Sequence, residues 1–140
     1  MEVYNPNWIS LIQSNIFTRI KMDFSQDIKD ELGMTGSNFS TEDNQNKKAL
    51  FPFVYIWFMP SNSKDTDLER KIIESIDFSI QIEVFDNKKQ SRAKKVANEV
   101  MRIMTELSFP PQPIPYFDNQ GDTIRMVSRY TRTMDWNDIL

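Results

Sequence analysis

Residues 79–107 read SIQIEVFDNKKQSRAKKVANEVMRIMTEL, and within one polar turn their hydrophobic pattern changes from a period of two to a helical period. Ile80, Ile82 and Val84 alternate with polar residues before the turn. This alternation predicts an amphipathic strand, with one face in a core and the other in water.

The part of this stretch that follows the turn predicts an amphipathic helix. Apolar residues recur at steps of three and four from Ala93 to Leu107, which places one apolar stripe against the sheet. Ser91 is the expected N-cap, although the lysines at this end oppose the helix dipole. No residue pattern in the strand, turn or helix suggests catalysis, so we expect this unit to present surfaces.

Two further strands and a first helix are predicted around this unit. The run LFPFVYIWFM at residues 50–59 is apolar on both faces, which predicts either a central strand or a strand whose outer face meets another subunit. Residues 72–85 predict its antiparallel neighbour, and residues 123–134 alternate as a last strand. Apolar residues at helical spacing from Trp8 to Ile20 predict the first helix.

Polar and proline-rich segments predict the connections. Residues 27–32 either extend the first helix or form a separate turn before Gly33, and a long polar loop follows up to residue 48. Residues 60–69 predict another polar connection. Residues 110–121 hold four of the seven prolines, which predicts an extended crossover on the surface.

Composition excludes several kinds of chemistry. The chain has 140 residues, the size of one domain, and contains no cysteine and no histidine. Disulfides, thiolate nucleophiles, Cys/His zinc sites and Ser-His pairs are therefore excluded. We expect a protein without enzymatic activity or cofactor. Since no run approaches the about 20 apolar residues of a membrane span and no signal-peptide pattern occurs, we expect no membrane partner and a location in the cytoplasm.

Charge is distributed in two opposed blocks. Residues 23–43 carry six acidic residues and one lysine, whereas residues 88–102 carry six basic residues and one glutamate. The blocks are either two solvated faces or complementary surfaces of neighbouring subunits. The candidate interface residues from the two blocks are Lys88, Lys89, Arg92, Lys94, Lys95, Glu42 and Asp43. The acidic pairs lack calcium-loop spacing, so we expect no metal site.

The last predicted strand and the aromatic strand add further candidates. Arg125, Arg129 and Arg132, with the lysines of the helix, either line a channel for DNA or protect a sheet edge by their charge. Trp57 belongs to an aromatic run that is typical of a core or an interface and less typical of a ligand-binding wall.

Three segments resemble a known family. They are FSTEDNQNKKALFPFVYIWFM at residues 39–59, VFDNKKQSRAKKVANEVMRIM at residues 84–104 and RMVSRYTRTMDWNDIL at residues 125–140. Together with the order of the elements, they resemble the tail terminator, or tail completion, proteins of long-tailed bacteriophages, over nearly the whole chain.

The resemblance implies a fold, an assembly and a set of partners. It implies one α/β (α+β) domain over residues 1–140, with a mixed, mostly antiparallel sheet covered on one side by helices. It also implies a ring of six copies in the neck of the virion. Such a ring caps the tail tube, ends its polymerisation and joins the tail to the head connector, while DNA passes through the lumen without sequence readout.

Three alternatives to this reading stay open. A head-closure or head–tail connector protein of the same neck region has similar architecture. A small carboxylate enzyme needs an acid pair flanking a pocket. A nucleic-acid-binding module needs a dominant basic surface.

Overall fold

The computed structural model describes residues 3–42, 50–61, 63–66 and 72–138, and within them the chain forms three α-helices and one sheet. The α-helices are α1 (Trp8–Asp23), α2 (Gln26–Leu32) and α3 (Gln90–Glu106), and a 3₁₀ turn covers Gly36–Asn38. The strands are β1 (Phe39–Ser40), β2 (Phe53–Phe58), β3 (Ser63–Thr66), β4 (Ile73–Asp86), β5 (Tyr116–Phe117) and β6 (Ile124–Asp135).

The sheet is mixed and mostly antiparallel, with the strand order β1-β2-β4-β6-β5. Only β1 and β2 run parallel, and β3 pairs with the beginning of β4. β4 and β6 form the longest ladder, which runs from the pair Ser75 and Asp135 to the pair Asp86 and Ile124. The helices pack on this sheet, which confirms the expected α+β class.

One face of the sheet meets the helices and forms the core. α3 contributes the predicted stripe from Ala93 to Met104, and α1 contributes Trp8, whose ring lies 6.2 Å from that of Phe78. The sheet contributes Val54, Ile56, Phe78, Ile80, Ile82, Val84, Met126, Tyr130 and Met134. The alternation seen in the sequence therefore does place one side of β4 and β6 in the core.

The first helix and the acidic segment after it are separate elements. Phe24 is extended (ψ 136°), which ends α1, and the Ser25 hydroxyl then accepts a hydrogen bond from Ile28 N at 3.4 Å to cap α2. Gly33 ends α2 in the left-handed region, at φ 68°. Leu11 is 50% exposed although its spacing predicted a place in the stripe of α1.

The start of α3 differs from the expectation. Lys89, not Ser91, is the N-cap, and it offers no side-chain cap. Instead, the buried Asp86 carboxylate at the end of β4 accepts hydrogen bonds from Lys88 N at 3.3 Å and from Lys89 N at 3.0 Å. This carboxylate places negative charge where the helix dipole favours it.

Three predicted connections contain short strands, and the proline-rich crossover at residues 110–121 includes β5, which pairs with β6. The loop from residue 33 to residue 48 includes β1, which is held because the buried Asn38 amide donates to Pro52 O at 2.7 Å, and Phe39 is buried beside it. The connection at residues 60–69 includes β3. β1, β3 and β5 each have four residues or fewer, which is too short for hydrophobic periodicity to reveal them.

Candidate interaction surfaces

The side of the sheet that faces away from the core is covered by no helix among the described residues. Its outward side chains come from four strands, and in the register of the sheet they form adjacent rows. We call this surface the open sheet face, and it comprises Phe53, Tyr55, Trp57, Gln81, Glu83, Phe85, Tyr116, Arg125, Val127 and Arg129. Aromatic residues lie on β2, and arginines lie on β6.

Glu83 and Arg125 form a mostly buried ion pair on the open sheet face. Arg125 Nε donates to Glu83 Oε1 at 2.6 Å, and the two side chains are 12% and 10% exposed. The Arg125 guanidinium also binds the exposed carboxylate of Asp118. The prediction that the polar side of β4 meets water is therefore wrong for Glu83 and also for Gln81, which is 6% exposed, because arginines from the next strand bind both side chains.

Arg129 and Trp57 lie on either side of Gln81 in one row. Arg129 Nε donates to Gln81 Oε1 at 2.8 Å, and the rest of this arginine is exposed. Trp57 is 38% exposed, and Tyr116 on β5 is 46% exposed. The open sheet face thus offers large aromatic surfaces and a cation to the outside.

Arg132 lies apart from the other two arginines of β6. It projects from the helix-facing side, where its Nη1 donates to Leu107 O at 2.9 Å and its guanidinium lies 5.8 Å from the centre of the Phe109 ring. The structure therefore brings Arg125 and Arg129 together on one surface and uses Arg132 to hold the end of α3.

The basic face of α3 meets acidic α2 within the same chain. Lys95 Nζ lies 2.7 Å from Glu31 Oε2, with both side chains about half exposed. A shallow groove beside this pair is lined by Lys94, Asn98 and Ile28 among others. Part of the charge complementarity seen in the sequence is therefore satisfied inside the monomer.

Glu99 and Arg102 join α3 to the junction of α1 and α2. Glu99 Oε2 accepts a hydrogen bond from Ser25 N at 2.6 Å, and Arg102 Nε donates to Glu99 Oε1 at 2.7 Å. The hydrogen bonds from Arg102 and Ser25 lower the pKa of Glu99, although burial opposes this. The hydrogen bond to Glu99, together with the one to Glu106, raises the pKa of Arg102. Arg102 Nη2 also donates to Asp23 O at 3.1 Å.

Lys88 and Lys89 form an exposed turn between β4 and α3, whereas the Arg92 side chain is mostly buried, at 19% exposed. Arg92 Nε lies 3.4 Å from Asp86 Oδ2, and its Nη2 donates to Phe51 O at 3.4 Å. Arg92 thus ties the start of α3 to the segment before β2 and leaves the two lysines on the surface.

The acidic candidates near β1 are placed only in part. Glu42 is exposed just after β1, and its backbone N–H donates to Ser40 Oγ at 2.9 Å. Asp43 lies outside the described residues.

Sequence reasoning missed three acidic residues that organise these surfaces, namely Glu99, Asp86 and Asp118. The sequence did single out Glu99, because it is the one acidic residue inside the basic block of residues 88–102. Asp86 also had a signal, since it directly precedes the basic turn. No sequence pattern indicated that Asp118 would contact Arg125.

Within residues 3–42, 50–61, 63–66 and 72–138, no three acidic side chains converge as metal ligands do. Over the same residues, no helix has the length and apolar composition that crossing a bilayer requires. No family model and no curated protein matches this chain.

Proposed function

We propose that this protein is a ring-forming assembly protein of a long-tailed bacteriophage, which caps the tail tube, ends its polymerisation and offers the head connector a docking surface. The observation that carries the proposal is the open sheet face. Trp57, Tyr116 and Arg129 are exposed there, and tryptophan, tyrosine and arginine are the residue types that contribute most to the binding energy of protein interfaces.

The fold agrees with what the resemblance implies for such a ring. A mixed, mostly antiparallel sheet carries helices on one side, and Trp57, Tyr116 and Arg129 are exposed on the other. In this proposal the ring belongs to the neck of the virion and encloses a channel for DNA. Cationic side chains that reach the channel contact phosphates without reading bases.

The rival functions have less support among the described residues. An acid-base enzyme needs two carboxyl groups facing one pocket, but Glu31 is paired with Lys95 on an exposed helix surface and Glu83 is neutralised by Arg125. A nucleic-acid-binding module needs a continuous basic surface, but acidic residues contact Arg125, Lys95 and Arg102.

The proposal is tested by measuring the molar mass of the purified protein by light scattering, alone and with the tail tube protein encoded in the same genome. We expect a ring, visible by negative-stain electron microscopy, that binds the end of the tube and stops its growth. A protein that remains monomeric under both conditions at low salt contradicts the proposal. A ring that binds the head portal and not the tube assigns the head-closure role instead.

A matched pair of variants connects the ring to the open sheet face. Trp57→Ser removes an aromatic side chain that is 38% exposed on this face, and we expect it to weaken association by about 10-fold or more. Leu11→Ser removes an apolar side chain that is 50% exposed on α1, on the other side of the molecule, and we expect it to leave association unchanged. Equal effects of the two variants would count against this face.

A further inference from the structure

One end of the β4–β6 ladder carries exposed acidic side chains, whereas the turn that follows the other end of β4 carries exposed lysines beside the exposed Asp122. Where β4 begins and β6 ends, Glu74, Asp135 and Asp138 are exposed. They are neighbours, because Asp135 pairs with Ser75 and its N–H donates to Asp138 Oδ2 at 2.7 Å. We call these three residues the acidic end.

The acidic end surrounds an aromatic pair. The rings of Tyr4 and Trp136 meet edge to face, with their centres 5.5 Å apart, and both side chains are only partly buried. The Tyr4 hydroxyl donates to Ile73 O at 3.1 Å, which fixes the pair to the first residue of β4. Val3 beside it is 84% exposed. This end therefore has an apolar centre with a negative rim.

The opposite end of β4 leads into the turn that exposes Lys88 and Lys89. Leu50 lies near this turn, since Arg92 from the start of α3 binds the adjacent Phe51 carbonyl, and Leu50 is 45% exposed. This end thus has an apolar side chain beside positive charges. The 14 residues of β4 hold the two ends roughly 46 Å apart, so one molecule cannot join them.

We propose that the acidic end of one copy docks on the Lys88–Lys89 turn of a second copy. This inference rests on the proposed ring and adds a second contact between its subunits, beside that of the open sheet face. An apolar centre with a charged rim is the arrangement of a specific interface, and the two rims have opposite sign. A contact between two different surfaces of identical chains closes into a ring when the rotation between copies permits.

The structure favours the acidic end over the acidic block of residues 23–43 as the partner of the Lys88–Lys89 turn. Glu31 of that block already pairs with Lys95, and the Asp23 carbonyl already accepts from Arg102. By contrast, neither the Glu74 nor the Asp135 carboxylate has an ion-pair partner among the described residues.

Two charge-reversed variants test the docking. Lys88→Glu/Lys89→Glu makes the turn acidic, and Glu74→Lys/Asp135→Lys makes the acidic end basic. We expect each variant alone to lose association, with a dissociation constant raised about 10-fold or more, because like charges then face each other. An equimolar mixture is expected to form rings of alternating copies, since every contact again joins opposite charges.

The controls separate this inference from the proposed function. Lys94→Glu/Lys95→Glu changes the net charge by the same amount on the flank of α3, and we expect it to associate as the wild type does. Circular dichroism checks that each variant is folded. The proposed docking contact is wrong if the wild type forms rings and the reversed variants form them equally well, or if mixing the two variants does not restore rings. Either result leaves the proposed ring itself uncontradicted. A wild type that stays monomeric, with and without the tail tube protein, overturns both.

Discussion

The buried residue Tyr130 makes the free energy of unfolding depend on pH in the alkaline range. Burial on the helix-facing side of β6 raises its pKa to about 12, and Ser128 opposes this rise. The unfolded chain releases this proton near pH 10. Between pH 10 and 12 the folded state therefore holds a proton that the unfolded state has lost, and the free energy of unfolding falls by about 1.4 kcal/mol per pH unit.

Urea denaturation between pH 9 and 12 measures this fall. Tyr130→Phe lacks the titrating group, so its stability should decline less over the same range. Parallel curves for the two proteins would show that Tyr130 does not carry the effect.

Arg125 is the residue on the open sheet face whose loss should cost most. Arg125→Ala leaves the Glu83 carboxylate, which is 10% exposed, without its cation, and we expect a loss of about 3 kcal/mol in the free energy of unfolding. Arg129→Ala is the matched control, because its partner Gln81 is neutral and its guanidinium is exposed, so we expect about 1 kcal/mol or less. Urea denaturation of both variants at pH 7 measures the difference, and equal losses would contradict it.

At the scale of elements, Glu99 holds α3 to the junction of α1 and α2. Glu99→Gln weakens the charge-assisted hydrogen bonds with Ser25 N and Arg102, and we expect a loss of about 1–2 kcal/mol at pH 7. Because the pKa of Glu99 is lowered from its ordinary value of 4.5, its contribution is present above that pH and is lost as the pH falls below it.

Urea denaturation at pH 7 and pH 3 checks this expectation, because the difference between wild type and Glu99→Gln should shrink in acid. Lys95→Gln is the control, since its pair with Glu31 is exposed and contributes little. A difference that stays constant with pH would mean that Glu99 acts through packing alone.

The long elements could be predicted from the sequence, and the short ones could not. β4, β6 and α3 each have 12 or more residues, so their periods repeat often enough to identify both the element and its buried side. β1 and β3 are short, and each is held by pairing with a longer strand. The N-cap at Lys89 was missed because its stabilising carboxylate comes from β4 and not from the helix.

For the whole molecule, the sequence identified which residues are charged but not which of them meet. The opposed blocks suggested a contact between subunits, whereas the chain folds so that Lys95 meets Glu31 and Arg102 meets the end of α1. The acidic end was not predicted, because Glu74 and Asp135 are far apart in sequence and become neighbours only through the β4–β6 register.

Salt should separate the stability of the proposed ring from the stability of the single folded chain. The screening length falls from about 10 Å at 0.1 M salt to about 3 Å at 1 M, which weakens attraction between exposed charges far more than between buried ones. Lys88, Lys89, Glu74 and Asp135 are exposed, whereas the pair of Glu83 and Arg125 is mostly buried. We therefore expect light scattering to show rings dissociating as salt rises to 1 M, while the urea midpoint of the monomer changes little. Rings that persist unchanged at 1 M salt would mean that the apolar centres, and not the charged rims, hold the subunits together.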